Sequence, residues 1–320
     1  NRYKFKNRLE RNFTNDFISE IPISFIEGFK NLEYQSKKLN YPKKPKTIFS
    51  SNFSRNTLLS YYIGEKIELG SKLLIGQHGG LYGAALFSWF ENHEIKIADK
   101  YFSWGWSQKN SNIKKLGIIV KTKNVKWSKN NKKILIFLRS RNKYPSSFLS
   151  GTNTENYLSY TENFSIFLKK INFKIRKNMI LRYPANVKNF EEENFKKNYE
   201  NIPYEKNEMF MSLKKTSLAI NTTHSTPFLQ IMAVNFPNIL LMDGKTNPLK
   251  DMISFEILKK VNIFHDNPES AAKFINNLDS PEKIYNWWYS RQTQKAVSIF
   301  CKKHAKKNKQ IINDIKFNIK

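Results

Sequence analysis

Residues 73–94 read "LLIGQHGGLYGAALFSWFENHE", and this stretch decides the fold that the sequence predicts. Its apolar start predicts a strand buried on both faces, because a parallel strand covered by helices shows no polar alternation. The pair Gly79 and Gly80 predicts a tight turn that comes close to a ligand. From Leu81 onward the pattern favours a helix, whose first free N–H groups would face an anion, with Gly83 packed closely on the sheet.

The same alternation of strands and helices continues along the chain. The runs that predict strands are 46–51, 72–77, 99–106, 117–122, 133–140, 178–184, 216–222, 238–243 and 261–265. Helices are predicted over 56–68, 81–92, 156–171, 226–235 and 268–278, with one long closing helix from Pro281. Strands that alternate with helices in this way form parallel sheets with right-handed crossovers, so the sequence predicts an α/β fold.

A polar, lysine-rich stretch at 123–133 interrupts the alternation, which then restarts. Two runs predict two Rossmann-like domains, 1–125 and 126–280, with a deep cleft between them. Residues 281–320 then form the closing helix and a basic tail. We expect this helix to lean back on the first domain, because the "WWY" of residues 287–289 needs a second apolar surface.

Composition excludes several classes of protein. One cysteine, Cys301, cannot form a disulfide framework or a cysteine-rich metal site. No apolar run reaches the roughly 18 residues of a membrane span, and the first residues are too charged for a signal peptide. Walker, G-x-G-x-x-G, G-x-S-x-G, H-E-x-x-H and D-x-D patterns are missing, so we expect no metal ion. A cytoplasmic location fits these features.

The net charge of +29 leaves the partners open. Basic chains bind nucleic acid, anionic membranes or phosphorylated substrates, but a general bias toward Lys, Asn, Ile and Phe explains the charge equally well. The excess of lysine over arginine argues against base reading, so we expect no nucleic acid. The tail from Lys302 to Lys320 has seven lysines against Asp314, which favours contact with the anionic inner membrane, although solvated disorder fits as well.

Ligands of doubly wound folds lie at the carboxyl ends of the strands, where four loops of this chain carry polar residues. The loops contain His78, Gly79 and Gly80; Arg139, Ser140 and Arg141; Arg182 and Tyr183; and Thr222, Thr223, His224, Ser225 and Thr226. Arginine suits a pyrophosphate because its fork binds two oxygens, and a helix start at Thr226 suits phosphate. The alternatives are surface arginines and plain helix capping.

The first of these loops also offers acid–base chemistry. His78 is followed within about two dozen residues by Tyr82, Glu91, His93, Glu94 and Asp99. His78 or one of the acids can serve as the general base for an acceptor hydroxyl. A tight turn with a structural histidine is the alternative. The aromatic "YFSWGW" either packs between sheet and helices or stacks on a base or sugar, and we expect His265 in a loop.

Several motifs together resemble a bacterial family of surface-polysaccharide transferases encoded among O-antigen and related glycan genes. They are "GQHGGLYG", "ENHEIKIADKYFSWGW", "ILRYP", "THSTPFLQIMAVNFPNILLMD" and "WWYSRQTQKAVSIFCKKHA", and the resemblance covers residues 45 to 308. The motif positions are Gln77, His78, Gly79, Gly80, Tyr82, Gly83, Glu94, Asp99, Trp104, Gly105 and Trp106, then Arg182 and Pro184, then Ser225 and Thr226. One position departs from the family, because Gln230 stands where its members tend to carry Glu.

The resemblance implies a GT-B architecture, with an acceptor side in the first domain and a nucleotide-sugar in the second. We therefore expect a metal-independent glycosyltransferase that acts on a cell-surface glycan or lipid-linked acceptor without a cofactor. A sugar-nucleotide-modifying enzyme on the same fold and a polyanion-binding protein are the alternatives. The candidate residues are, for catalysis, His78, Glu94 and Asp99; for the donor, Arg139, Arg141, Arg182, Thr223, His224, Ser225, Thr226 and Gln230; and along the cleft, Gln77, Gly79, Gly80, Tyr82, Trp104 and Trp106.

Overall fold

The computed structural model describes residues 7–109, 111–139, 154–183, 199, 201–243 and 248–319 of the 320-residue chain. The strands are β1 Thr47–Ser50, β2 Lys72–Gly76, β3 Lys100–Ser103, β4 Ile113–Lys115, β5 Lys133–Phe137, β6 Met179–Arg182, β7 Thr216–Asn221, β8 Asn238–Leu241 and β9 Phe264–His265. The helices are α1 Arg8–Glu20, α2 Phe29–Lys37, α3 Thr57–Glu68, α4 Trp89–Ile97, α5 Thr154–Lys170, α6 Phe173–Arg176, α7 Met209–Leu213, α8 Thr226–Ala233, α9 Met252–Lys260, α10 Pro268–Asn277, α11 Pro281–Trp288, α12 Arg291–His304 and α13 Ile311–Ile319.

The strands form two sheets, in the orders β1-β2-β3-β4 and β6-β5-β7-β8-β9. Pairing is parallel between β3 and β4 and throughout the second sheet. The predicted α/β fold with two sheets is confirmed. The chain divides into two compact units, Asn1–Leu74 and Ile75–Lys320. The domain limits expected from the sequence stay a prediction.

The second sheet is buried on both faces, which explains why its strands are apolar throughout. On one face, Ile134 and Ile136 of β5 belong to a cluster with Phe164 of α5 and Ile275 of α10. On the other face, Leu135 and Phe137 of the same strand pack in a cluster with α7 and α8. Parallel register places Phe137 beside Arg182 of β6 and Asn221 of β7. The carboxyl ends of these three strands therefore lie side by side.

The structure corrects three predicted elements. No helix follows the glycine turn at Leu81: α4 begins only at Trp89, where the Ser88 hydroxyl accepts the Glu91 N–H. The segment 117–122, expected as a strand, is irregular, because the Ile118 N–H bonds the Lys306 carbonyl and not a neighbouring strand. The regular strand β4 lies just before this segment. The closing helix is two helices, since Ser290 caps α12 anew.

The basic tail is ordered where it is described. Residues 302–304 end α12 and residues 311–319 form α13, so solvated disorder is wrong for this part. The tail is attached to β3 and β4 by hydrogen bonds from the Lys306 N–H to the Trp104 carbonyl and from the Asn308 amide to the Leu116 carbonyl. Gly105 has φ +140, and a Cβ at this position would lie 2.5 Å from the Lys302 carbonyl, so the tail approaches a position that only glycine fits.

Among the described helices, none has a stretch long and apolar enough to cross a bilayer.

Candidate active site

Gln77 comes directly after β2 and organises the turn that follows. Its side chain is fully buried; its Oε1 accepts the Trp104 N–H (2.9 Å) and the Trp106 indole N–H (2.8 Å), and its Nε2 donates to the Gly79 carbonyl (2.8 Å). Burying an amide costs free energy unless such partners are present. Gln77, Trp104 and Trp106 are thus bonded to one another in the interior, whereas the sequence predicts them along a cleft. That role stays a prediction.

His78 follows directly and meets a buried acid. Its Nδ1 lies 3.6 Å from Oε1 of Glu94 on α4, and the two side chains are 20% and 2% exposed. The Tyr82 hydroxyl lies 3.2 Å from Nε2 and 3.3 Å from Nδ1, with the rings edge to face. A partly exposed imidazole beside a buried carboxylate is the arrangement of an oriented general base. Two predicted catalytic residues are therefore neighbours.

The third predicted catalytic residue lies elsewhere in this segment. Asp99 is exposed between α4 and β3, and His93 is exposed on α4. Glu91 is buried on α4 and accepts the Gly83 N–H (2.7 Å) and the Lys250 ammonium (2.6 Å). Gly83 has φ +74, and a Cβ there would meet the Trp106 ring at 2.5 Å. This glycine allows close packing on a tryptophan, and the expected packing of a helix on its sheet is wrong.

A second set of candidates lines a cavity of about 820 Å³ at the carboxyl end of the second sheet. The predicted donor residues along its wall are Arg139, Arg182, Thr223, Ser225, Thr226 and Gln230. They come from the ends of β5, β6 and β7 and from the start of α8. Arg141 and Pro184 fall outside the described residues. The structure thus brings together six donor candidates that are up to 91 residues apart in the chain.

Both described arginines of this cavity have hydrogen-bonded neighbours. The Tyr160 hydroxyl accepts the backbone N–H of Arg139 (3.1 Å) and lies 3.0 Å from the Thr222 hydroxyl. Burial raises the pKa of Tyr160 to about 12, so this phenol stays protonated. Arg182 is 8% exposed and donates to the Asn207 carbonyl. Burial lowers the pKa of Arg182 while Glu205 and Glu208 oppose that shift, and the guanidinium stays charged.

The amino end of α8 opens into the same cavity. Ser225 is the N-cap, its hydroxyl makes no capping bond, and Pro227 in the first turn has no N–H. A Cβ on Gly80 would lie 2.4 Å from the Ser225 carbonyl carbon. His78 precedes Gly80 by two residues, so the turn that carries the histidine contacts this helix start through Gly80. Gly80 thus allows this turn to approach Ser225, a residue of the cavity wall.

Two donor candidates have other contacts. Gln230 lines the cavity, and its amide donates to the Lys121 carbonyl (2.8 Å), a bond that the ionised Glu of the family could not donate. His224 is fully buried among Phe228, Phe255 and Phe300. It belongs to the core rather than the cavity wall. His265, expected in a loop, is buried in β9 and lies 2.6 Å from the Ser270 hydroxyl.

Sequence reasoning missed part of the cavity wall. The missed residues include Lys121, Lys206, Asn207, Glu208 and Phe210. The lysines contribute positive charge, but nothing distinguishes them in a chain with 55 Lys and Arg residues. Among the described residues, no group of three or more His, Cys, Asp or Glu is placed to hold a metal ion.

Comparison with solved structures finds distant similarities. The wall teichoic acid polymerase TagF is 11% identical over 86% of this chain and 73% of that one, with a TM-score of 0.35. MurG of Acinetobacter baumannii is 11% identical over 86% and 77%, at 0.43. The spinosyn forosaminyltransferase SpnP is 11% identical over 94% and 68%, at 0.33.

The search of curated proteins finds no match for this chain. The sequence model of one family does match, over residues 1–319, and its description is "LIC12162 family transferase". A match over almost the whole chain confirms the prediction of a transferase. The chain belongs to the LIC12162 family of transferases.

Proposed function

We propose that this transferase moves a sugar from a nucleotide-sugar to a hydroxyl of a cell-surface glycan or lipid-linked acceptor. The observation that carries the proposal is the cavity that joins Arg139 and Arg182 to the amino end of α8. A diphosphate carries the charge that two guanidinium groups and a helix dipole attract. A nucleoside diphosphate is also an ordinary occupant for a site of about 820 Å³.

The acceptor is activated beside this cavity. His78 takes the proton of the acceptor hydroxyl while that oxygen attacks the anomeric carbon of the sugar. The bond from this carbon to the diphosphate oxygen breaks, and the leaving diphosphate keeps the electron pair. Arg139 and Arg182 stabilise its developing charge, so the step that we propose needs neither a metal ion nor a cofactor.

The finer features of this proposal come from the resemblance of the motifs. They are a GT-B arrangement of the two sheets, a cytoplasmic location and a role in O-antigen or related surface polysaccharide. The neighbouring turn from Gln77 to Tyr82 and the helix start at Ser225 are compatible with this arrangement, because Gly80 places them in contact.

Donor binding tests the proposal directly. Thermal unfolding is measured with UDP, GDP, CDP and CMP and their common sugar derivatives, with and without EDTA. One donor at 100 times its Kd should stabilise the protein by about 2.7 kcal/mol, a shift of a few degrees, and EDTA should leave this shift unchanged.

Replacing Arg139 by alanine should abolish most of that shift, because one partner of the diphosphate is lost. Arg291→Ala is the matched control, since this arginine is exposed at the start of α12 and should keep the full shift. A shift that needs a divalent ion, or that survives in Arg139→Ala, contradicts the proposed donor site. Stabilisation by any polyanion to the same extent favours the polyanion-binding alternative.

A lipid-linked acceptor lies in a membrane, so the proposal requires a surface of the protein that binds lipid. We propose that α13 is this surface. None of its residues is buried, and the isoleucines 311, 315 and 319 recur at helical spacing next to Ile312, which is 69% exposed. Lys302, Lys306, Lys307 and Lys309 precede the helix on the surface. An apolar helix face beside lysines is typical of contact with anionic lipid.

The protein should therefore sediment with vesicles of phosphatidylglycerol but not with neutral vesicles of phosphatidylcholine. Ile312→Asn should reduce binding several-fold, and Lys307→Glu with Lys309→Glu should reduce it by about 1 kcal/mol or more per residue. Lys174→Glu, an exposed change on α6, is the matched control. Equal sedimentation of all these proteins would exclude α13 as the contact.

A further inference from the structure

The segment 248–251, which precedes α9, is attached to the chain that follows the His78 turn. The Lys250 N–H donates to the Ala84 carbonyl (2.8 Å), and the Leu86 N–H donates to the Pro248 carbonyl (2.9 Å). Ala85 and Leu249 form an antiparallel bridge between them. These bonds join positions more than 160 residues apart, so the backbone around residue 85 takes its conformation from this partner.

The side chain of Lys250, which is 32% exposed, adds an ion pair with a buried carboxylate to this pairing. Its ammonium lies 2.6 Å from Oε1 of Glu91, whose side chain is 1% exposed, and 5.7 Å from the centre of the Trp106 ring. The other oxygen of Glu91 accepts the Gly83 N–H. A buried carboxylate is strongly destabilising without a cation, so Glu91 depends on Lys250.

Helix α4 holds both ends of the loop that bears His78. Glu91 and Glu94 are three residues apart and so lie on the same side of the helix. Glu94 meets His78 at one end of the loop, and Glu91 binds Gly83 at the other. The loop 78–83 is therefore held between two buried carboxylates, one of which is neutralised by Lys250.

We propose that Lys250 is a positioning residue, which holds the loop 78–83 on α4 so that His78 stays beside Glu94. The role of His78 rests on the proposed function, whereas the placement of its ring by Lys250 does not. The charged and titratable groups that face this ring are Glu94 on α4 and Tyr82 in the loop. Tyr101 on β3 interacts with both, and burial and Glu94 raise its pKa, so it stays protonated. The Glu91–Lys250 pair lies at the Gly83 end of the same loop.

The first test observes the ring itself and needs no activity. Histidine ring resonances are recorded by NMR across pH for the full chain, with His78 assigned through His78→Ala. Lys250→Met should displace the His78 resonances and raise their titration midpoint, because a nearby positive charge is lost. Glu91→Gln should move the midpoint the opposite way, whereas a general loosening of the loop would move both variants alike. Lys250→Arg should restore the original spectrum.

Lys259→Met is the matched control, because it breaks another lysine–carboxylate pair, with Asp266, and should leave the His78 resonances unchanged. If Lys250→Met alone does not fold, the double variant with Glu91→Gln and Lys250→Met takes its place. It removes both charges, so no buried carboxylate is left without a cation. Unchanged His78 resonances in folded Lys250→Met, or in the double variant, would overturn the proposal.

Turnover provides the second test. Lys250→Met should lower kcat about 10-fold or more through misplacement of His78, with the donor-induced thermal shift unchanged, and Lys250→Arg should recover most of the rate. If no nucleotide or nucleotide-sugar raises the melting temperature of the wild-type protein, the proposed function is contradicted, whereas the NMR result is unaffected. Wild-type turnover by folded Lys250→Met would contradict the positioning role.

Discussion

Replacing His78 by alanine is expected to lower kcat by about 10²-fold or more, with little change in melting temperature. The imidazole is partly exposed and lies beside Glu94, so its removal eliminates the proposed general base rather than a core contact. Initial rates with a saturating donor and thermal unfolding of the same preparation measure both quantities.

Two variants of α4 sharpen this result. Glu94→Gln keeps the volume of the buried side chain but removes the charge that faces His78, so kcat should fall by an intermediate factor, about 10-fold. His93→Ala changes an exposed histidine of the same helix and should leave the rate unchanged. An active but unstable His78→Ala protein would show that the turn has a structural role and that another residue supplies the base.

The free energy of unfolding is expected to decrease steeply as the pH falls from 6.5 to 5. Burial, and then the neighbouring His304, lower the pKa of His224 to about 3, and burial lowers the pKa of His265 to about 4. Below pH 6.5 the unfolded chain binds protons at both residues while the folded chain does not. At pH 5 this difference amounts to about 2 kcal/mol for each residue, or about 4 kcal/mol together.

Urea unfolding at half-unit pH intervals measures this dependence. Burial also lowers the pKa of His304, although its bond to Asp251 opposes this shift. The lowered pKa of His304 adds to the loss of unfolding free energy at low pH. His224→Leu fits the surrounding aromatic side chains and should reduce the slope by about 1.4 kcal/mol per pH unit. Equal stability at pH 7 and pH 5 would show that these histidines are not held neutral in the folded protein.

The cavity at the carboxyl end of the second sheet could be predicted in large part from the sequence. The apolar run 133–137 specifies a strand buried on both faces, and β6 and β7 have the same character. Parallel pairing brings the carboxyl ends of these strands to the same end of the sheet, whatever the positions of the helices. Arg139, Arg182 and Ser225 therefore lie at that end. His78 beside Glu94 was within reach as well, because the sequence separates them by only 16 residues.

What the sequence by itself determined is the alternation of elements, the α/β class and the edge of the sheet where the candidate residues meet, because these depend on local periodicity and strand direction. Only the tertiary structure decided the path from Leu81 to Ser88. Its apolar pattern suits a helix, and one local turn forms, with the Ala85 N–H bonded to the Leu81 carbonyl. Pairing of Ala85 with Leu249 and the bond from the Gly83 N–H to Glu91 then take the place of further helical turns. The partners of Gln77 and Glu91, which include Trp106 and Lys250, come from distant parts of the chain, and no local pattern encodes such pairs.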